Sequence, residues 1–284
     1  MAATSSTFPA PTTIGPEAMI EQPFGWLVLR ALLNEAFKSL LLFWRRPVNL
    51  ILMLVTVPPM YLVFQFIIGD GQIDRALVPP TLLAFMFFPI LYLATFVVIG
   101  DVLEEINTGT FGQLHLGPVS PALLLVGRLV PLLLVGIVLA VLIVAETALA
   151  LGVGVPLSVP ALLPMALTVL DIAGFALLIC GLALVLPQTG SILHLFSGIV
   201  FALNGSFFPL ALFPGWAQVV AQVLPTTLAI EATQQVVLHG QSLGAVWASG
   251  LLPWATVHAV VLVLLGTLAF VASDRRAMRR GTLG

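Results

Sequence analysis

The chain predicts an all-α membrane protein, and three observations predict it. Of its 284 residues, 60% are hydrophobic and only 8% charged, with a mean hydropathy of +1.15. A soluble domain carries about a quarter charged residues, so this little polar surface cannot cover a water-soluble globule of the same size. Six stretches are apolar over lengths close to the roughly 20 residues that a helix needs to cross the hydrocarbon of a bilayer. The basic residues are also lopsided. With the amino terminus placed in the cytoplasm, Arg30, Lys38, Arg45, Arg46, Arg128, Arg275, Arg276, Arg279 and Arg280 fall inside and Arg75 alone falls outside, as the positive-inside rule expects.

The elements follow in order. Residues 1–23 are rich in Pro, Thr, Ala and Ser, lack the basic start and apolar run of a signal peptide, and read as a disordered tail. Over residues 24–46, Arg30, Asn34 and Lys38 recur every four positions with Glu35 alongside, while Leu29, Leu32, Leu33, Phe37, Leu40 and Leu41 fill the other face. That is an amphipathic helix. With Trp26 and Trp44 near its ends, it suits a membrane surface. A six-span domain is expected over 47–273, with spans at 48–68, 77–100, 122–151, 161–186, 191–208 and 245–272, and a basic cytoplasmic tail over 274–284. Pro58, Pro59 and Pro89 fall inside spans and should kink them.

Between the second and third spans runs a polar elbow, EEINTGTFGQLHLGPVSPALLLVGRL. Asp101 with Glu104, and Thr110 with Gln113, fit helix-start pairs. Asn107-Thr108-Gly109 reads as a break, and Gly117 suits a helix end. Ser120 and Pro121 suit the start of the next helix. A short helix of about two turns is therefore expected over 110–116, held by two stiff corners. A plain connection needs only a few residues. A short helix held this way either anchors the bundle or passes a push to the spans beside it.

Late in the chain, residues 207–237 hold Pro209, Pro214 and Pro225 and no Lys or Arg. The prolines cut the stretch into pieces too short to span, which suits re-entrant or interfacial helices. Asp171 falls near the middle of the fourth span and Glu146 toward the outer end of the third. Charges inside spans are costly. Asp171 either faces a polar pathway or is bonded to neighbouring helices, and Glu146 is expected to reach outer water. Glu231 is expected at the outer surface, and His258 and His194 as packed histidines. The net charge of −2 points to no nucleic-acid partner, and a single cysteine, Cys180, excludes an internal disulfide. The histidines show no metal-ligand spacing, and the only lysine, Lys38, does not follow a phosphate-binding glycine loop.

The elbow resembles the cytoplasmic signature of the ABC-2-type transporter permeases. Glu105, Gly109, Thr110, Leu114, Pro118, Val119 and Ser120, then Gly127 and Arg128, stand at its positions. Residues 204–240, beginning NGSFFPLALFPGW and including PTT, are similar to the family's late region, although Gln234 and Gln235 stand where an arginine is common. The resemblance implies six spans, an amphipathic N-terminal interfacial helix, a cytoplasmic coupling helix, and re-entrant extracellular helices before the last span. It further implies a drug- or lipid-exporter-like permease in the cell membrane with both termini cytoplasmic. Glu104, Glu105, Gly109, Thr110, Gln113, Leu114, His115, Pro118 and Arg128 would couple to a separate ABC ATP-binding subunit, present in two copies. ATP and Mg2+ would be bound there, with no cofactor on this chain. A second permease copy or a sister chain would complete the pathway, lined by Asp171, Phe85, Phe88, Phe196, Phe201, Asn204 and Phe207, and lipids would surround it. The alternative is a polytopic membrane enzyme acting on lipids, using Asp101, Glu104 and Glu105 with His115 or His194.

Overall fold

Prolines and glycines set where the helices of this chain stop. The computed structural model describes residues 23–45, 47–186 and 190–280, and among them it contains helices and turns but no strand. All of the expected N-terminal tail except Pro23, together with Arg46 and residues 281–284, lies outside the described residues. Helix α1 covers Phe24–Trp44. Helix α2, Pro47–Ile68, runs unbroken through Pro58 and Pro59.

The second span, Val78–Asn107, is segmented. It comprises α3 (Val78–Phe85), α4 (Phe88–Tyr92), a π turn over Leu93–Val97, and α5 (Val98–Asn107). Pro89 explains the first break. It has no N–H to offer the carbonyl of Phe85 and its ring would clash there, so α3 stops at Phe85 and Pro89 takes the first turn of α4. Next come α6 (Pro121–Leu151), which also carries Pro131 internally, and α7 (Leu162–Val185).

Among the described residues, five helices are long and apolar enough to cross a membrane. The fifth expected span is shorter than its apolar stretch. Helix α8, Gly190–Leu203, has 14 residues, about 21 Å at 1.5 Å per residue, and it stops well before residue 208. The cause is local. Asn204 Oδ1 accepts the N–H of Ser206 at 3.0 Å, and Gly205 takes φ +86°, a turn that ends the helix. The late prolines act as expected: α9 (Gly215–Val223) follows Pro214, and α10 (Thr227–Val237) follows Pro225.

The final stretch departs from its expected bounds. Helix α11 (Leu243–Ala248) is capped by the Ser242 hydroxyl, which accepts the Ala245 N–H at 3.2 Å. Gly250 then turns the chain with φ +87°. Helix α12 (Leu251–Arg280) takes in residues 274–280, expected as a tail. His258 therefore lies near the start of this helix.

Small residues let the long helices approach closely, as membrane helix packing requires. A Cβ at Gly174 of α7 would stand 2.6 Å from Val263 N and 2.7 Å from Leu262 C of α12, and one at Gly181 would stand 2.9 Å from Phe270 Cα. A Cβ at Gly136 of α6 would stand 2.8 Å from Ile90 Cα of α4. Gly174→Val should therefore force backbone apart and destabilise the protein by about 3 kcal/mol, the upper part of the usual overpacking range. Gly198→Ala, with nothing within 4 Å, should be neutral or slightly stabilising in thermal unfolding of the detergent-solubilised protein. Equal melting temperatures for the two variants would contradict the close α7–α12 approach.

Helix α1 packs through a mixed face that includes Leu32, Glu35 and Ser39, while Arg30, Asn34 and Lys38 stay exposed. Its partner is α6, where a Cβ at Gly127 would meet Leu32 at 3.2 Å and Glu35 at 3.4 Å. Ser39 is buried, whereas Leu29, Leu33, Phe37, Leu40 and Leu41 are exposed.

Candidate functional site

The elbow begins where α5 ends. The Thr108 hydroxyl donates to the Glu104 carbonyl at 2.8 Å, and Gly109, at φ +71°, turns the chain so that the Thr110 N–H reaches the Glu105 carbonyl at 2.9 Å. A left-handed φ of this kind favours glycine. The elbow helix itself is a 3-10 helix over Phe111–Leu116 ending at Gly117, within the expected stretch. Three expected caps are absent. Asp101 and Glu104 lie inside α5, because the second span continues past them as helix. The Thr110 hydroxyl is engaged with Thr108 Oγ1 at 2.9 Å rather than capping the elbow helix. Ser120 stands at the start of α6 with Pro121 as its first residue, but makes no side-chain cap bond.

In a 3-10 helix, side chains three apart eclipse one another, and that period sorts this short segment. Phe111 is buried and Leu114 packs against the core, whereas Gln113 is exposed and Leu116 is 87% exposed. His115 Nε2 lies 3.0 Å from Asp274 Oδ1 of α12, which ties the elbow to the last helix.

A second tie joins the other side. Arg128, near the start of α6, donates from Nε to Glu35 Oε2 at 2.7 Å and from Nη1 to Glu105 Oε2 at 2.7 Å. Lys38 Nζ lies 3.5 Å from Glu105 and 3.9 Å from Glu35. Two cations and two carboxylates thus bind α1, α5 and α6 together. Arg128 is 6% exposed, so these charge-assisted bonds are shielded from water. Of the nine expected coupling residues, Glu105, His115 and Arg128 are spent on these internal ties. Glu104, Thr110, Gln113 and Pro118 face outward, with Gly109 and Leu114 half-buried. Sequence reasoning missed Asp274, Leu116 and the pairing of Glu35 and Lys38. For the last two, the available signal was the polar face of α1.

A different polar network lies in the α7–α12 region. Asp171 is fully buried. Its Oδ2 accepts the Thr226 N–H at 3.0 Å, and its Oδ1 lies 3.0 Å from His258 Nδ1. His258 Nε2 lies 3.1 Å from the Val223 carbonyl. Both ring nitrogens face acceptors, and only an imidazolium donates from both. Thr226 is held at φ +79°, an uncommon conformation for a β-branched residue, and Asn204 Nδ2 donates to its Oγ1 at 2.9 Å. The joint between α9 and α10 is therefore clamped from α7, α12 and the end of α8. Thr226 carried no signal in the sequence beyond following Pro225.

The aromatic residues expected along a pathway gather into one cluster, with one exception. Phe88 stacks on Phe85 at 5.3 Å and meets Phe201 at 5.0 Å and Phe207 at 5.4 Å. Phe196 stays apart. It is 43% exposed and pairs with Phe175 at 6.1 Å. Glu146 is exposed on α6. Glu231 is half-buried on α10, and burial pushes its carboxyl above the usual carboxylate range. His115 is bonded to Asp274 and His194 stacks on Phe96 at 4.9 Å. Among the described residues, neither histidine is hydrogen-bonded to Glu104 or Glu105, a contact that the lipid-enzyme alternative would use.

A family model described as ABC-2 type transporter matches residues 30–238, from within α1 to the end of α10. No curated protein and no solved structure matches the chain. With the match covering well over half of its length and the spanning helices in place, the chain belongs to the ABC-2 type transporter family and is a transmembrane permease rather than the ATPase of an ABC transporter.

Proposed function

We propose that this permease is the membrane subunit of an ATP-driven exporter that moves a hydrophobic or amphiphilic cargo out of the cytoplasm or inner leaflet. A separate ABC ATP-binding subunit, in two copies, binds ATP and Mg2+ and supplies the work. A second permease, identical or a sister chain, completes the path. The chain crosses the cell membrane six times, with α8 as the fifth and shortest crossing, and keeps both termini in the cytoplasm. Helix α1 lies in the inner interface, its exposed leucines toward lipid. Helices α9 and α10 dip back from the outer face, and the aromatic cluster with Asp171 and Asn204 borders the path.

The observation that carries this reading is the elbow helix. It is fastened at both flanks, through Glu105–Arg128–Glu35 and through His115–Asp274, while Gln113 and Leu116 are left outward. A helix fixed this way moves only with the spans it is tied to. Swinging a two-state gate from 1:99 to 99:1 takes about 5.5 kcal/mol of differential binding, so the contact has to transmit force. Leu116→Asp combined with Gln113→Arg alters only exposed side chains and should leave the melting temperature unchanged. It should abolish co-purification with the ATP-binding subunit and cut ATP-driven transport at least about tenfold, the effect of roughly 1.4 kcal/mol. Undiminished co-purification and transport would refute the docking role.

A further inference from the structure

Helix α12 runs from an apolar stripe into a basic one without a break. Val257, Val261, Leu264 and Leu268 are exposed along one side, whereas Ala255, Ala259, Phe270 and Ala277 are buried on the other. At 3.6 residues per turn, Arg275 and Arg279 fall in line with the exposed stripe and Arg276 flanks it. All three arginines are exposed. Their face is held in a fixed direction, because Asp274, one residue before, lies 3.0 Å from His115 of the elbow and Ala277 is packed against the core. With Asp274 spent on His115, no acid among the described residues pairs with Arg275, Arg276 or Arg279.

The spacing along the helix sets their depth. Trp254 is exposed near the start of α12, and tryptophan marks a membrane interface. Arg275 follows it by 21 residues, about 32 Å at 1.5 Å per residue, close to the roughly 30 Å of bilayer hydrocarbon. The arginines thus emerge at headgroup level on the side of α12 turned to lipid, while the elbow lies on the side of Asp274. A guanidinium placed there matches the oxygens of a phosphate with its fork of N–H groups.

We propose that Arg275, Arg276 and Arg279 form a headgroup site for an anionic phospholipid. Its phosphate sits between Arg275 and Arg279, one turn apart, and its chains lie along Leu264 and Leu268. Three cations with no facing acid favour an anionic head over a zwitterionic one, whose ammonium they repel. The leaflet follows from the cytoplasmic placement proposed above for the carboxyl end, but binding rests neither on that placement nor on an ATP-binding subunit.

The test uses the full-length chain in detergent, titrated with dioleoylphosphatidylglycerol, dioleoylphosphatidylcholine or soluble glycerol 1-phosphate, with bound species counted by native mass spectrometry. The first phosphatidylglycerol should bind at least about tenfold more tightly than phosphatidylcholine. Each basic residue beside anionic lipid supplies about fivefold, the equivalent of roughly 1 kcal/mol, so two of the three suffice. Arg275→Gln, Arg276→Gln and Arg279→Gln together should bring the two lipids to parity, with phosphatidylcholine binding unchanged as the report of a folded chain. Arg75→Gln, at an exposed arginine after α2, should leave the preference intact. Equal binding of the two lipids by the parent, a preference that survives the triple replacement, or one that Arg75→Gln removes would each overturn the proposal. Displacement of the lipid by an equal concentration of glycerol 1-phosphate would also overturn it, as the mark of a site for free phosphate. None of these failures would touch the exporter reading, which is tested with the ATP-binding subunit present.

Discussion

Replacing Asp171 with alanine should destabilise the protein by about 4 kcal/mol, the scale seen when one member of a buried ion pair is removed. The loss is large because one carboxylate serves two donors. Without it, the Thr226 N–H and His258 Nδ1 both lose their acceptor, and each unmade buried bond costs in its own right. The second consequence is conformational. Thr226 sits at φ +79°, a state that costs on the order of 1–3 kcal/mol and persists only where the surroundings enforce it. Once released, the α9–α10 joint should open, seen as faster amide exchange over α9 and α10 than over α7. Asp171→Asn retains one acceptor and should fall between alanine and the parent. In the Asp171→Ala background, Thr226→Gly should recover part of the loss, because glycine adopts this φ without strain. A melting temperature for Asp171→Ala within a degree of the parent would show that the clamp contributes nothing.

The other large effect is expected at the cytoplasmic end. Arg128→Leu should cost about 3 kcal/mol, the lower end of the buried-pair range, since its carboxylate partners retain 16% and 19% side-chain exposure. The leucine fills the space, but Glu35 and Glu105 are left with Lys38 alone, at 3.9 and 3.5 Å. Removing one of the two acids as well should restore stability, so Arg128→Leu with Glu35→Gln should melt above the single variant. This positive coupling is what a double-mutant cycle reads. ATP-driven transport should not recover in the double variant, because the tie between α1, α5 and α6 stays broken. If the double variant transports normally, the network serves stability alone and has no part in passing motion from the elbow to the spans.

Local rules made much of the architecture readable beforehand. Pro89 halts α3 through the carbonyl of Phe85, Pro214 and Pro225 open α9 and α10, and the elbow helix falls inside the expected stretch. In each case the cause lies within a few residues of its effect. The same locality explains the failures. Apolar content continues to residue 208, but the Asn204–Ser206 turn ends α8 earlier. Apolar content likewise bridges Gly250, which divides α11 from α12. Asp101 and Glu104 matched a helix-start spacing that the continuing second span overrode. The site was readable as composition rather than as contacts. An amphipathic α1 was visible in its period. That Glu35 turns inward to meet Arg128, 93 positions away, while Leu29, Leu33, Phe37, Leu40 and Leu41 stay exposed, became clear only in the folded chain.

Membrane character, helical content, the elbow and most helix boundaries were set by the sequence alone, because hydrocarbon length, proline chemistry and glycine turns act over one or two helical turns. Which charges meet was decided only by the tertiary structure. Arg128 with Glu35 and Glu105, His115 with Asp274, and Asp171 with His258 and Thr226 are separated by 23 to 159 positions. A charge in a membrane protein takes whichever partner the packing of the helices brings within about 3 Å.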